Sequence, residues 1–92
     1  MKREELLKKA VALTYDSNRQ GAPVVAAKGW GYIADTIIKL AQENNIPLVE
    51  DKDLVRILDK VDVQTEIPEQ AFRVVAELYA FLYRLNKNRG GI

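Results

Sequence analysis

Lys28-Gly29-Trp30-Gly31 puts a lysine and two glycines where a short strand gives way to a helix. Free N–H groups at a helix N-terminus, the helix dipole and an ammonium group can together hold an anion. The spacing is neither that of a P-loop nor that of the GxGxxG dinucleotide turn. The competing reading is structural: glycines here permit a tight turn and close approach of helix to sheet. Glu50, Asp51 and Asp53 are a second chemical candidate, at the C-terminal end of a strand, where α/β ligand sites usually sit. Paired carboxylates bind Mg²⁺ or serve acid–base chemistry. Against that, Asp51 is well placed as a helix N-cap and Asp53 lies in a first turn, where the dipole favours acids.

The chain has no cysteine and no histidine. That excludes disulfides, thiolate catalysis and a Cys-based zinc site, and it removes the commonest general base and transition-metal ligand. No catalytic constellation remains, and neither enzymatic turnover nor a cofactor is expected. Fourteen basic and 13 acidic residues leave a net charge of +1, which argues against a dedicated nucleic-acid binder. Ninety-two residues, 48% apolar and 29% charged, describe one small globular domain over 1–92. A chain of this size buries roughly 60–65% of its unfolded surface. The N-terminus has no apolar run of signal-peptide length and no stretch approaches a membrane span, so a cytoplasmic location without direct membrane insertion is expected.

The elements that must position these residues centre on Ala22 to Glu50, which reads as strand, glycine turn, helix, strand. Val24 to Ala27 is a short strand, and Pro23 before it suits a strand's start or an edge. From Trp30 the apolar positions Trp30, Ile33, Ala34, Ile37, Leu40 and Ala41 follow helical spacing. Asn44-Asn45 supplies a left-handed C-cap and Pro47 forbids further helix. Ile46 to Val49 is expected to form a strand parallel to the one before it, through a right-handed crossover. Upstream, Met1 to Lys9 is a charged lead-in with a short helix expected, and Ala10 to Tyr15 is a first strand. Asp16 to Gly21 is a turn cluster. Downstream, Asp51 caps a helix running from Lys52 to about Lys60, with Leu54, Ile57, Leu58 and Val61 inward. Pro68 opens a last helix that reaches about Asn86, and residues 87–92 are a flexible tail. The expected fold is α/β: a small sheet of about three strands with a parallel βαβ crossover, packed by three to four helices.

Two surfaces exceed what such a core needs. The last helix carries an inward stripe of Ala71, Val74, Val75, Leu78, Phe81, Leu82 and Leu85. Beside it runs a second stripe of Phe72, Ala76, Tyr79 and Tyr83. Tyrosines suit partly wet interfaces, so this second stripe is a candidate partner surface as well as a candidate for plain packing. The first strand is apolar on both faces, which predicts a missing neighbour and an edge at Ala10 to Tyr15 open to strand addition, unless the N-terminal residues or the sheet order cover it.

Taken in order, AVALTYD, GAPVVAAKGWGYIADTI, AQENNIPLVED and IPEQAFRVVAELYAFLYRLNK resemble the C-terminal cytoplasmic domain of the FlhB/YscU-type export-apparatus proteins of flagellar and virulence type III secretion. The resemblance spans about Ala10 to Lys87. Family members carry a membrane domain ahead of this region. They also carry an Asn-Pro-Thr-His motif just before the segment matching Ala10 to Tyr15, where the asparagine cyclises and the chain cuts itself. The corresponding residues here are Glu5-Leu6-Leu7-Lys8, with neither asparagine nor proline, so self-cleavage is not expected. The resemblance implies a stand-alone counterpart of the post-cleavage half of a substrate-specificity switch protein.

It implies a non-enzymatic docking or accessory role in flagellar or type III protein export, associated with the membrane only through partners. Those partners would be export-gate membrane and cytoplasmic proteins, exported substrates or a hook-length-control protein. In the family a shallow apolar surface reads early export substrates, and the matching positions are Ala22, Pro23, Ala76 and Tyr79. Tyr79 is bulkier than the aliphatic residue usual there. The alternative function is a small-ligand or anion sensor using the Lys28–Gly31 turn.

Overall fold

The computed structural model describes residues 8–16 and 21–90, with side chains as far as Leu85. The helix expected over Met1–Lys9 lies outside them except at Lys8 and Lys9, and Lys9 is already strand. Most of the Asp16–Gly21 turn cluster and the last two residues of the tail are likewise outside.

Two strands, β1 (Lys9–Thr14) and β2 (Val24–Trp30), pair antiparallel. Ala12 faces Ala27 while Leu13 faces Val25, so Ala26 is the extra residue of a bulge, which bends β2 locally. Three helices follow: α1 (Tyr32–Glu43), α2 (Lys52–Leu58) and α3 (Glu69–Gly90).

The expected parallel crossover and third strand do not form among the described residues. Ile46 to Val49 pairs with no strand, and Ile46, Leu48 and Val49 are exposed. The reason lies at the outer edge of β2. Thr65 O accepts from Val25 N at 2.9 Å, Val25 O from Gln64 N at 2.7 Å and Pro23 O from Ile67 N at 2.9 Å. Val24 and Glu66 form an antiparallel bridge in the same place. The segment ahead of α3 therefore takes backbone groups that a strand after α1 would need, and Pro47 offers no N–H of its own.

Local capping follows the residue chemistry. Asn45 is left-handed with φ 57°, and Ile46 N donates to Ala41 O at 2.8 Å, closing α1 in a Schellman arrangement. Asp51 Oδ1 accepts from Leu54 N at 3.0 Å, capping α2. Pro68 directly precedes α3, which runs past Asn86 to Gly90.

The core joins sheet to helices through Val25, Leu54, Leu58, Ile67, Ala71 and Val75, with Val11, Leu13, Ala22, Leu78 and Tyr79 packed against them. Side chains of the Val, Leu and Ile size stabilise by about 1.5–3 kcal/mol each when fully buried. The helix α1 docks through Ala34 and Ala41, while Ile33 and Leu40 of the expected stripe are more than half exposed. Trp30 ends β2 and does not begin the helix. The small alanines let α1 approach the sheet closely, so the larger residues fall to either side of the contact.

Candidate functional site

The two halves of the chain meet at the lead-in to β2. Ile67, Ala71 and Val75 are almost fully buried and hold the N-terminal half of α3 against the core. The Ile67-to-Pro23 hydrogen bond and the Val24–Glu66 bridge fix the Gly21–Pro23 segment alongside. Above this frame lies an open groove of about 500 Å³ lined by Tyr15, Gly21, Ala22, Pro23, Glu66, Phe72, Ala76 and Tyr79.

Helical geometry explains the α3 wall. Phe72, Ala76 and Tyr79 are spaced i, i+4, i+7 and share one face. Ala76 in the middle carries only a methyl group and leaves space between the two rings. Tyr15, just past β1, closes one side: its ring lies 5.6 Å from that of Tyr79, with planes at 37°. That separation is in the favourable range for offset or tilted aromatic pairs. Burial pushes the Tyr79 phenol above its ordinary value. Gly21 has φ 136°, a backbone reached at low cost only by glycine, and a Cβ there would meet Glu66 Oε2 at 2.6 Å.

Five of the six candidate surface residues, Ala22, Pro23, Phe72, Ala76 and Tyr79, thus line one groove. Tyr83 is not part of its lining and is 67% exposed. The sequence points to neither Gly21 nor Glu66, and to Tyr15 only as the end of the edge at Ala10 to Tyr15. Tyr15 alone had a signal, since it continues the alternation of Val11 and Leu13, which pack on the core beside Tyr79. Gly21 and Glu66 reach the groove only through pairing distant in sequence.

The other candidates are placed elsewhere. Lys28 Nζ donates to Asp59 O and to Val61 O, both at 2.8 Å, so it satisfies carbonyls just past α2 and does not face the start of α1. Gly31 N donates to Lys8 O at 2.9 Å, and a side chain at Gly29 would run into Ile33. These contacts fit the structural reading of the glycine turn. Asp51 is occupied as the α2 cap. Among the described residues no three acidic side chains are grouped to hold a metal ion.

A polar cluster missed in the sequence ties the far end of the sheet to α2. Trp30 Nε1–H donates to Asp59 Oδ1 at 2.9 Å, and Lys9 Nζ donates to Asp59 Oδ2 at 3.3 Å. The Lys9 ammonium lies 4.6 Å from the Trp30 ring centroid. The Trp30 hydrogen bond, and secondarily Lys9, hold the Asp59 carboxyl below its ordinary value.

This arrangement of β1, bulged β2 and a long final helix can be compared with known proteins. The profile of the FlhB HrpN YscU SpaS family matches residues 7–82. The chain belongs to this family. A Bacillus subtilis (strain 168) relative, YlqH, is 41% identical over 88 residues, 96% of this chain and 95% of that protein. Flagellar biosynthetic protein FlhB of the same organism is 40% identical over 76 residues, 82% of this chain and 21% of FlhB. The chain thus spans about a fifth of the length of the flagellar biosynthetic proteins it matches. Among solved structures, the cytoplasmic domain of FlhB from Shewanella putrefaciens superposes with a TM-score of 0.82 and 37% identity, covering 90% of this chain and 65% of that one. A mutated EscU C-terminal domain superposes with a TM-score of 0.75 and 35% identity, over 79% of this chain and 89% of that one. Among the described residues no helix is long and apolar enough to cross a membrane.

Proposed function

We propose that this FlhB-family chain is a non-enzymatic docking module of flagellar or type III protein export, working in the cytoplasm and binding short segments of exported proteins in the groove. The observation that carries the reading is the convergence of Ala22 and Pro23 with Phe72, Ala76 and Tyr79 around one open, mostly apolar groove. A groove of this kind suits an extended or helical peptide: apolar walls supply affinity, and the few polar groups fix orientation. Membership of the family supports the export context, and the structural neighbour described as a cytoplasmic domain supports the location.

Purified early export substrates and export-gate proteins, offered to the immobilised full chain, test the reading. Retention by the wild type and loss with Ala76→Gln, which fills the groove from an exposed helical position, is the expected result. Recovery of neither class, together with unchanged motility and secretion in a strain lacking the chain, overturns it.

A further inference from the structure

Apart from the Tyr15 and Tyr79 hydroxyls, the described lining of the groove carries one polar side chain, Glu66. Among the described residues, Glu66 is the only carboxylate in the lining, and no cationic side chain lines it. Among the described residues the Glu66 carboxylate has no ion-pair or hydrogen-bond partner, and the residue is exposed to solvent. Three aromatic rings, Tyr15, Phe72 and Tyr79, line the same groove. Aromatic faces carry negative quadrupole density and attract ammonium and guanidinium groups. The methylene stems of Lys and Arg pack well on apolar surface while their heads seek a polar partner. A Cβ at position 21 would lie 2.6 Å from Glu66 Oε2, so glycine there leaves the Glu66 side chain free to keep this position.

The geometry points to a groove that reads a basic side chain of the docked segment, its stem on Phe72 and the Tyr15–Tyr79 pair and its charge against Glu66. The occupant is therefore a peptide segment of an exported protein that carries Lys or Arg between apolar residues. This rests on the docking function proposed above and adds the specificity. An isolated exposed ion pair contributes little, so the preference is modest and comes from the rings and the carboxylate acting together.

The test uses three blocked peptides of one extended sequence, with Lys, Gln or norleucine at a central position between two valines. Binding to the full chain is followed by two-dimensional NMR. The Lys peptide is expected to shift groove residues and to bind roughly three- to tenfold more tightly than the Gln peptide, with the advantage shrinking as salt is raised. Glu66→Gln is expected to erase the Lys-over-Gln advantage while norleucine binding and the thermal midpoint stay unchanged. Equal binding of Lys and Gln peptides, a preference that survives Glu66→Gln, or binding of norleucine alone overturns the basic-residue specificity and leaves the docking function standing. If none of the three shifts the groove residues, the docking function fails and this inference fails with it.

Discussion

Tyr15 and Tyr79 stack across the groove with ring centroids 5.6 Å apart, joining the exit of β1 to the outer face of α3. Sixty-four positions separate them in sequence, so the contact exists only when sheet and helix are correctly assembled. Tyr79 also packs against the core cluster, whereas Tyr15 is half exposed. Tyr79→Ala should therefore destabilise the fold more than Tyr15→Ala. A double-mutant cycle by urea denaturation should give a coupling of about 0.5–1.5 kcal/mol. Strict additivity would show that the two rings are merely adjacent.

Acid should weaken the fold partly through Asp59. Its folded value lies below the ordinary 3.8, chiefly because Trp30 donates a hydrogen bond to the charged form. A depressed folded value contributes stability that is complete above the unfolded value and is lost as pH falls through the folded one. Urea midpoints of the wild type should fall on acidification between about pH 5 and pH 2, and the fall should be shallower in Trp30→Phe. Equal slopes would remove Asp59 from the acid response. Tyr79 has the opposite sense: its folded value is raised above 10.0, so its contribution is present below that pH and lost as pH rises through the folded value.

The Asp51 cap can be tested apart from any function. Asp51→Ala leaves the Leu54 N–H without its acceptor and should cost about 1 kcal/mol of unfolding free energy. Peptide binding in the groove should be unaffected, because Asp51 is not part of the lining. A loss of groove binding at preserved stability would contradict the separation of cap from site.

The stretch Glu5-Leu6-Leu7-Lys8 contains no asparagine whose side-chain amide could attack the backbone. The purified chain should remain one intact polypeptide on storage, as mass spectrometry would show. A discrete break between Glu5 and Lys9 in the absence of protease would contradict this.

Local chemistry made much of this legible in the sequence. Asn45 at the end of α1, Asp51 at the start of α2 and Pro68 before α3 each act on backbone groups within a few residues, and each behaves as its type dictates. The helical repeat likewise brought Phe72, Ala76 and Tyr79 onto one face. What escaped depends on pairing distant in sequence. Ile46 to Val49 has strand composition, yet Gln64–Ile67 holds the outer edge of β2, and nothing in either segment alone announces that competition. The same pairing brings Glu66 to the groove. Tyr83 fits the helical stripe but lies one turn beyond the groove. On α1 the expected stripe holds at Ala34, Ile37 and Ala41 and fails at Ile33 and Leu40, because close approach through the two alanines leaves the larger residues to either side.

We propose that exported proteins dock in the groove between Ala22-Pro23 and α3. Isothermal titration of a purified early export substrate into the full chain, wild type against Ala76→Gln, tests it most directly. Ala76 is exposed on α3, and glutamine is a good helix former, so the fold should lose only a few tenths of a kcal/mol. Measurable binding to the wild type and a loss of at least about tenfold in the variant, equal to 1.4 kcal/mol, are expected. Equal affinity for both proteins, with both folded, would contradict it.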